Sequence, residues 1–186
     1  MGSASGIWSD FLRRSGVGET AAFREVLEAV RRIPYGRPAD RTVEGVIREW
    51  RGTCSTKHDL LAVFADERWP LDIRIMHRVY NLTPAIARRL FGEEAATVVP
   101  ADGVMDVHTY MTAIVDGRRV VIDVTVPGAP RDGHSDMGLA CGNGTDIDGG
   151  TDPRRTKERL VRQYCDALAR DRVIESIGRA ATQLGL

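Results

Sequence analysis

Two alternating, β-branched-rich runs, Val104 to Val115 and Arg118 to Val126, are separated by the dipeptide Asp116-Gly117. Asp-Gly between such runs selects a two-residue hairpin, because its turn needs positive φ angles that Gly adopts without strain. The pairing then runs Val115 with Arg118, Ile114 with Arg119, and onward until Asp123 stands opposite Tyr110. His108 lies two residues from Tyr110 and shares its face. Asp123 and His108 become diagonal neighbours, with Cα atoms about 7–8 Å apart. A slip of one residue would send them to opposite faces, so the turn decides whether an imidazole and a carboxylate meet.

Upstream, Thr53-Cys54-Ser55 opens a helix whose core face is Leu60, Leu61 and Phe64. A thiol at a helix start faces unpaired N–H groups and the positive end of the macrodipole, both of which favour the thiolate. Cys54, His108 and Asp123 therefore supply a nucleophile, its base and the group that orients the base. A protonated His108 beside Cys54 would lower the thiol pKa from its usual value of about 8.5. The Cys54 N–H is the natural first donor to an oxyanion. Trp50, Tyr35 and Ser55 are candidates for a second. Lys57 attracts notice because lysine is scarce here: the only others-than-arginine basic chains are Lys57 and Lys157. Tyr110, beside His108, is a candidate for substrate contact.

The remaining pattern is helical around this centre. A helix near Glu19 to Ile33 carries Phe23, Val26, Leu27, Val30 and Ile33 on one face, and Pro34-Tyr35-Gly36 ends it. A shorter one follows Thr42. Leu71 to Tyr80 alternates as a half-buried strand, and Thr83-Pro84 starts a short helix that Gly92 stops. Residues 131–152, rich in Gly and Asp, read as a long mobile loop that could close over the site. Asp152-Pro153 starts C-terminal helices across 153–182. The chain of 186 residues reads as one domain with its core at 34–127. The expected class is α+β, an antiparallel sheet of three or more strands packed on the Cys54 helix with flanking helices.

Composition narrows the chemistry. The 26 basic residues balance the 26 acidic ones, which argues against nucleic acid or an anionic membrane as partner. Three widely spaced cysteines make neither a zinc motif nor a disulfide scaffold, and fit a reducing compartment. No apolar run is long enough to span a membrane, and Met1 to Gly6 lacks a secretory pattern, so the expectation is a cytoplasmic protein. Neither a metal nor a cofactor is expected. A site built from Cys54, His58 and His77 or His108 lacks a further ligand at zinc spacing. Asp146, Asp148 and Asp152 do not follow the calcium-loop spacing. The bland alternatives are a buried Cys54, a core His108 and an Asp123 that serves a turn.

Gly52-Thr53-Cys54-Ser55 with Leu60-Leu61, then Val107-His108-Thr109-Tyr110, then Asp123-Val124-Thr125, resembles the motif order of the transglutaminase-like superfamily. The resemblance covers roughly residues 34 to 127. It implies a papain-like fold with Cys54 as nucleophile, His108 as base and Asp123 as orienter. Thr109-Tyr110 stands where that family often has Ala-Trp, and Val124 where it often has Pro. The implied activity is thiol-dependent acyl transfer from an amide or thioester to water or an amine, on a peptide or small molecule. The alternatives are amide synthesis from a carrier-protein thioester and a non-catalytic binding module that keeps the fold.

Overall fold

The computed structural model describes residues 4–69, 71–115, 117–127 and 138–183. Helices α1 (Ala4–Ser15), α2 (Phe23–Arg31), α3 (Val43–Glu49) and α4 (Cys54–Arg68) come first. Strand β1 (Ile73–Leu82) leads to α5 (Pro84–Phe91) and α6 (Glu93–Thr97), then to β2 (Val104–Val115) and β3 (Arg118–Ile122). Strand β4 (Gly144–Asp148) precedes α7 (Pro153–Tyr164) and α8 (Ala167–Gln183). All strand pairs are antiparallel, in the order β3-β2-β1-β4. The protein is mixed α+β, and no described helix is long and apolar enough to cross a membrane.

The hairpin register is the one its turn requires. Val115 pairs with Arg118 and Met111 with Ile122, and Gly117 has φ +74; Asp116 lies outside the described residues. β3 leaves the ladder at Ile122, earlier than the expected Val126. The edge of β2 below Met111 therefore has no β3 partner, and the start of α4 occupies that place. Cys54 and Ser55 reach His108 and Thr109 there. Those two neighbours project to opposite faces of a strand, so the helix start straddles the edge.

Both faces of the sheet are covered, which is why β2 is buried almost continuously from Val104 to Ala113. On one face, Met111, Ala113 and Ile122 pack with Leu60, Leu61 and Phe64 of α4 and with Phe11 and Val30. On the other, Tyr80, Leu82 and Val104 pack with Leu90, Phe91 and Ile177. Val79 and Val107 meet Leu160 of α7.

Several expectations need correction. The segment 131–152 is not one long loop: its later part forms β4, which pairs Tyr80 with Gly144 and Met76 with Asp148, while 131–137 lie outside the described residues. β4 is an exposed edge strand with a single half-buried apolar residue, Ile147. Its hold on β1 includes ion pairs from Arg78 to Asp146 at 2.6 Å and Arg74 to Asp148 at 3.7 Å. A strand stabilised in that way carries no alternating apolar pattern to read. The N-terminal α1 also precedes the first expected helix and buries Ile7, Trp8 and Phe11.

Candidate active site

Local chemistry fixes where α4 begins. The Thr53 N–H donates to Thr56 Oγ1 at 2.9 Å, a side-chain cap on the first turn. Just before it, the Gly52 N–H donates to Pro34 O at 3.0 Å, and the Gly36 N–H to Gly52 O at 3.1 Å. This bridge ties the approach to Cys54 onto the segment after α2. A Cβ at Gly52 would fall 2.6 Å from Lys57 Cγ, so no larger residue fits without moving the lysine.

Cys54 is 8 % exposed and opens onto a cleft of about 340 Å³ bounded by α4, α7, α8 and the segment after α2. His108 lies beside the Cys54 thiol, close enough for each to act on the other's charge. On its far side, His108 Nε2–H donates to Asp123 Oδ2 at 2.7 Å. The Asp123 carboxylate also accepts from Ala140 N–H at 2.7 Å and from Thr125 N–H at 3.0 Å. Three N–H donors favour an anion even where water is excluded.

The charges follow from these contacts. Burial would raise the Asp123 pKa, but the charge and hydrogen bond of His108, then His58 and a hydrogen bond from Thr125, drive it well below the usual carboxylate range. Burial would lower that of His108, but the charge and hydrogen bond of Asp123, joined by Cys54, hold it well above normal. Burial would raise the Cys54 thiol. The Lys157 ammonium, followed by the hydrogen bond and charge of His108, outweighs burial and brings the thiol down to about 6. A thiolate–imidazolium pair is the state these surroundings favour at neutral pH.

Lys157, from the second turn of α7, is the residue that sequence reasoning passed over. Its Nζ donates to Cys54 Sγ at 3.3 Å, to Ser55 Oγ at 2.7 Å and to Thr109 Oγ1 at 2.9 Å. Thr109 in turn contacts His77 Nδ1 at 3.2 Å, and His77 Nε2–H donates to Pro153 O at 2.8 Å. Burial, then Lys157, lowers the His77 pKa to about 4, so His77 stays neutral and serves this chain as donor and acceptor. The scarcity of lysine drew attention to Lys57 instead.

The other candidates divide. Ser55 and Tyr35 line the cleft. Burial, with the Cys54 charge next, pushes the Tyr35 hydroxyl far above normal, so it remains a donor. Trp50 does not reach the cleft: it ends α3 with φ 50, packs on Phe11 and lies under the Arg14 guanidinium, 5.1 Å from its ring. Lys57 is fully buried, and its Nζ donates to the carbonyls of Arg31, Ile33 and Thr125, each at 2.8 Å. It joins the end of α2 to the segment after β3 and lines no part of the cleft. Tyr110 lies toward Arg78 and Asp146 instead, 5.9 Å from the Arg78 guanidinium.

His58 supports the site from beneath. Its Nδ1–H donates to Cys54 O at 2.6 Å, and its Nε2 accepts from the Val124 N–H at 3.2 Å, which is the neutral tautomer. Burial lowers its pKa to about 4. Asp59, also on the cleft wall, is raised to about 6 by burial against the opposing pull of Lys157 and Arg154. Among the described residues, no three His, Cys, Asp or Glu side chains converge in a way that could hold a metal.

The site thus presents a buried thiol with an imidazole and a carboxylate in line behind it and an ammonium before it. No family model, curated protein or solved structure matches the chain.

Proposed function

We propose that this protein is a thiol-dependent acyl-transfer enzyme of the papain-like, transglutaminase-like kind. The observation that carries the reading is the line from Cys54 through His108 to Asp123 at the start of α4, opening on a cleft. The Cys54 thiolate attacks an amide or thioester carbonyl; a bond forms from Sγ to carbon, and the carbonyl π pair moves onto oxygen. Collapse of that adduct expels the leaving group, which takes its proton from His108. Asp123 holds the ring tautomer and stabilises its charge throughout. Water or an amine then attacks the thioester, giving its proton to His108 and releasing the Cys54 thiolate. The donor is a peptide or small molecule, and three unpaired cysteines suit a cytoplasmic setting.

The test uses iodoacetamide and p-nitrophenyl acetate. Cys54 is expected to alkylate with a midpoint near pH 6, and wild-type protein to carry an acetyl group on Cys54 after mixing with the ester. Cys54→Ala, which keeps Cys141 and Cys165, serves as the background. Alkylation that follows an ordinary thiol, together with no acetyl on Cys54, would overturn the reading.

A further inference from the structure

Resting on that reading, we infer that Lys157 is a fourth catalytic residue: it neutralises the resting thiolate and then passes one N–H to the oxyanion. Three observations converge on it. The first is charge. Thiolate, imidazolium and Asp123 carboxylate together carry a net negative charge, although His108 and Asp123 are only 2 % and 1 % exposed. Burying a net charge is costly. The Lys157 ammonium against Sγ offsets the thiolate directly. The neighbouring Asp106 is held first by Arg170 at 2.6 Å, with Lys157 acting on it second.

The second is the parking of the ammonium. An ammonium has three N–H groups, and here each has one acceptor: the Ser55 hydroxyl, the Thr109 hydroxyl and Cys54 Sγ. The two hydroxyls are uncharged and stay in place when sulfur is acylated. Only the third N–H loses its partner. Attack moves the negative charge from sulfur to the carbonyl oxygen, two bonds away, with no proton changing hands. The N–H released by sulfur is then a freed donor beside that oxygen, next to the Cys54 N–H at the helix start.

The third is access. Of the two groups that touch Sγ, Lys157 lines the cleft together with Ser55 and Thr109, whereas His108 is covered behind the thiol. A carbonyl entering from the cleft meets sulfur on the ammonium's side. This supplies the second oxyanion donor, a role that Trp50 cannot fill from where it sits.

Lys157→Met and Lys157→Gln separate the two duties, each first checked for native circular dichroism. The Gln variant keeps an N–H that can rest on Ser55 or Thr109, so it preserves the packing if the Met variant does not fold. Both remove the charge, and in both the iodoacetamide midpoint of Cys54 should rise by about one unit or more, as loss of an adjacent opposite charge does. At a pH above the shifted midpoint every thiol is ionised, and since a more basic thiolate attacks faster, not slower, a fall in the rate of acetylation by p-nitrophenyl acetate there reports lost oxyanion stabilisation. Lys157→Met should acetylate there ~10²-fold more slowly than wild type, and Lys157→Gln should fall between. A Lys157 variant with the wild-type midpoint and the wild-type rate per thiolate overturns the inference. If wild-type Cys54 alkylates near pH 6 yet never acetylates, the acyl-transfer reading fails, and the midpoint shift alone still decides whether Lys157 holds the thiolate.

Discussion

Two lysines lie near the start of α4, Lys57 within its first turn and Lys157 on α7, and each offers N–H groups to three acceptors. Lys57 gives them to the carbonyls of Arg31, Ile33 and Thr125. Lys157 gives them to a thiol and two hydroxyls. Carbonyls have no charge to change, so the value of the Lys57 contacts is structural, even though burial lowers the Lys57 amine itself to about 7. A thiol can change charge, and under the proposed mechanism it does so when it is acylated, so the Lys157 contacts would be remade in each turnover. What an ammonium does is decided by whether its acceptors can change charge.

Mutations should keep the two regions apart. The largest effect belongs to the part that serves the thiol from behind: Asp123→Asn is expected to reduce acetylation of Cys54 by roughly 10³-fold or more, since it removes the charge that holds the His108 tautomer. Lys57→Met should come next, costing about 3–5 kcal/mol in urea unfolding, because buried carbonyls lose their donors. The folded fraction of that variant should alkylate at Cys54 with a midpoint within a few tenths of wild type. A larger shift than Lys157→Met produces would erase the distinction between the lysines.

Acid should weaken the support under both. His58 and His77 have folded pKa values near 4, below the unfolded value of about 6.5. As pH falls from about 6.5 toward 4, the unfolded chain binds protons that the folded chain refuses, so stability drops through that window. Replacement of His58 by Gln should flatten the unfolding free energy between pH 6.5 and 4; an unchanged slope would mean that His58 is not held neutral. Thr109→Val, which takes one hydroxyl from Lys157, should raise the alkylation midpoint by less than Lys157→Met and cost about 1 kcal/mol of stability. Trp50→Phe should leave the midpoint where it is.

The parts legible in the sequence are those whose cause is local. Asp116-Gly117 dictated a hairpin register, and the His108–Asp123 bond follows from it. Thr53 before Cys54, with Leu60, Leu61 and Phe64 downstream, marked where α4 starts. Lys157 gave no such sign, because it lies on another helix and reaches Cys54 only through tertiary packing. A trace of it was visible at Thr109, where the pattern this stretch resembles often has alanine, which could not receive an ammonium. β4 was hidden because Gly144-Thr145-Asp146-Ile147-Asp148 holds by backbone pairing and arginine, not by apolar alternation. Scarcity marked lysine as a residue type, but the choice between Lys57 and Lys157 depended on burial, which composition does not contain.

The C-terminal third contributes Ala140, whose N–H binds Asp123, and the α7 lysine that touches sulfur. Cys54, His108 and Asp123 all leave the ribosome before either of them. A growing chain therefore holds all three residues of the line while lacking the ammonium that does most to ionise the thiol. In the order of synthesis, the group that does most to lower the Cys54 pKa is the last of the four to arrive, with α7.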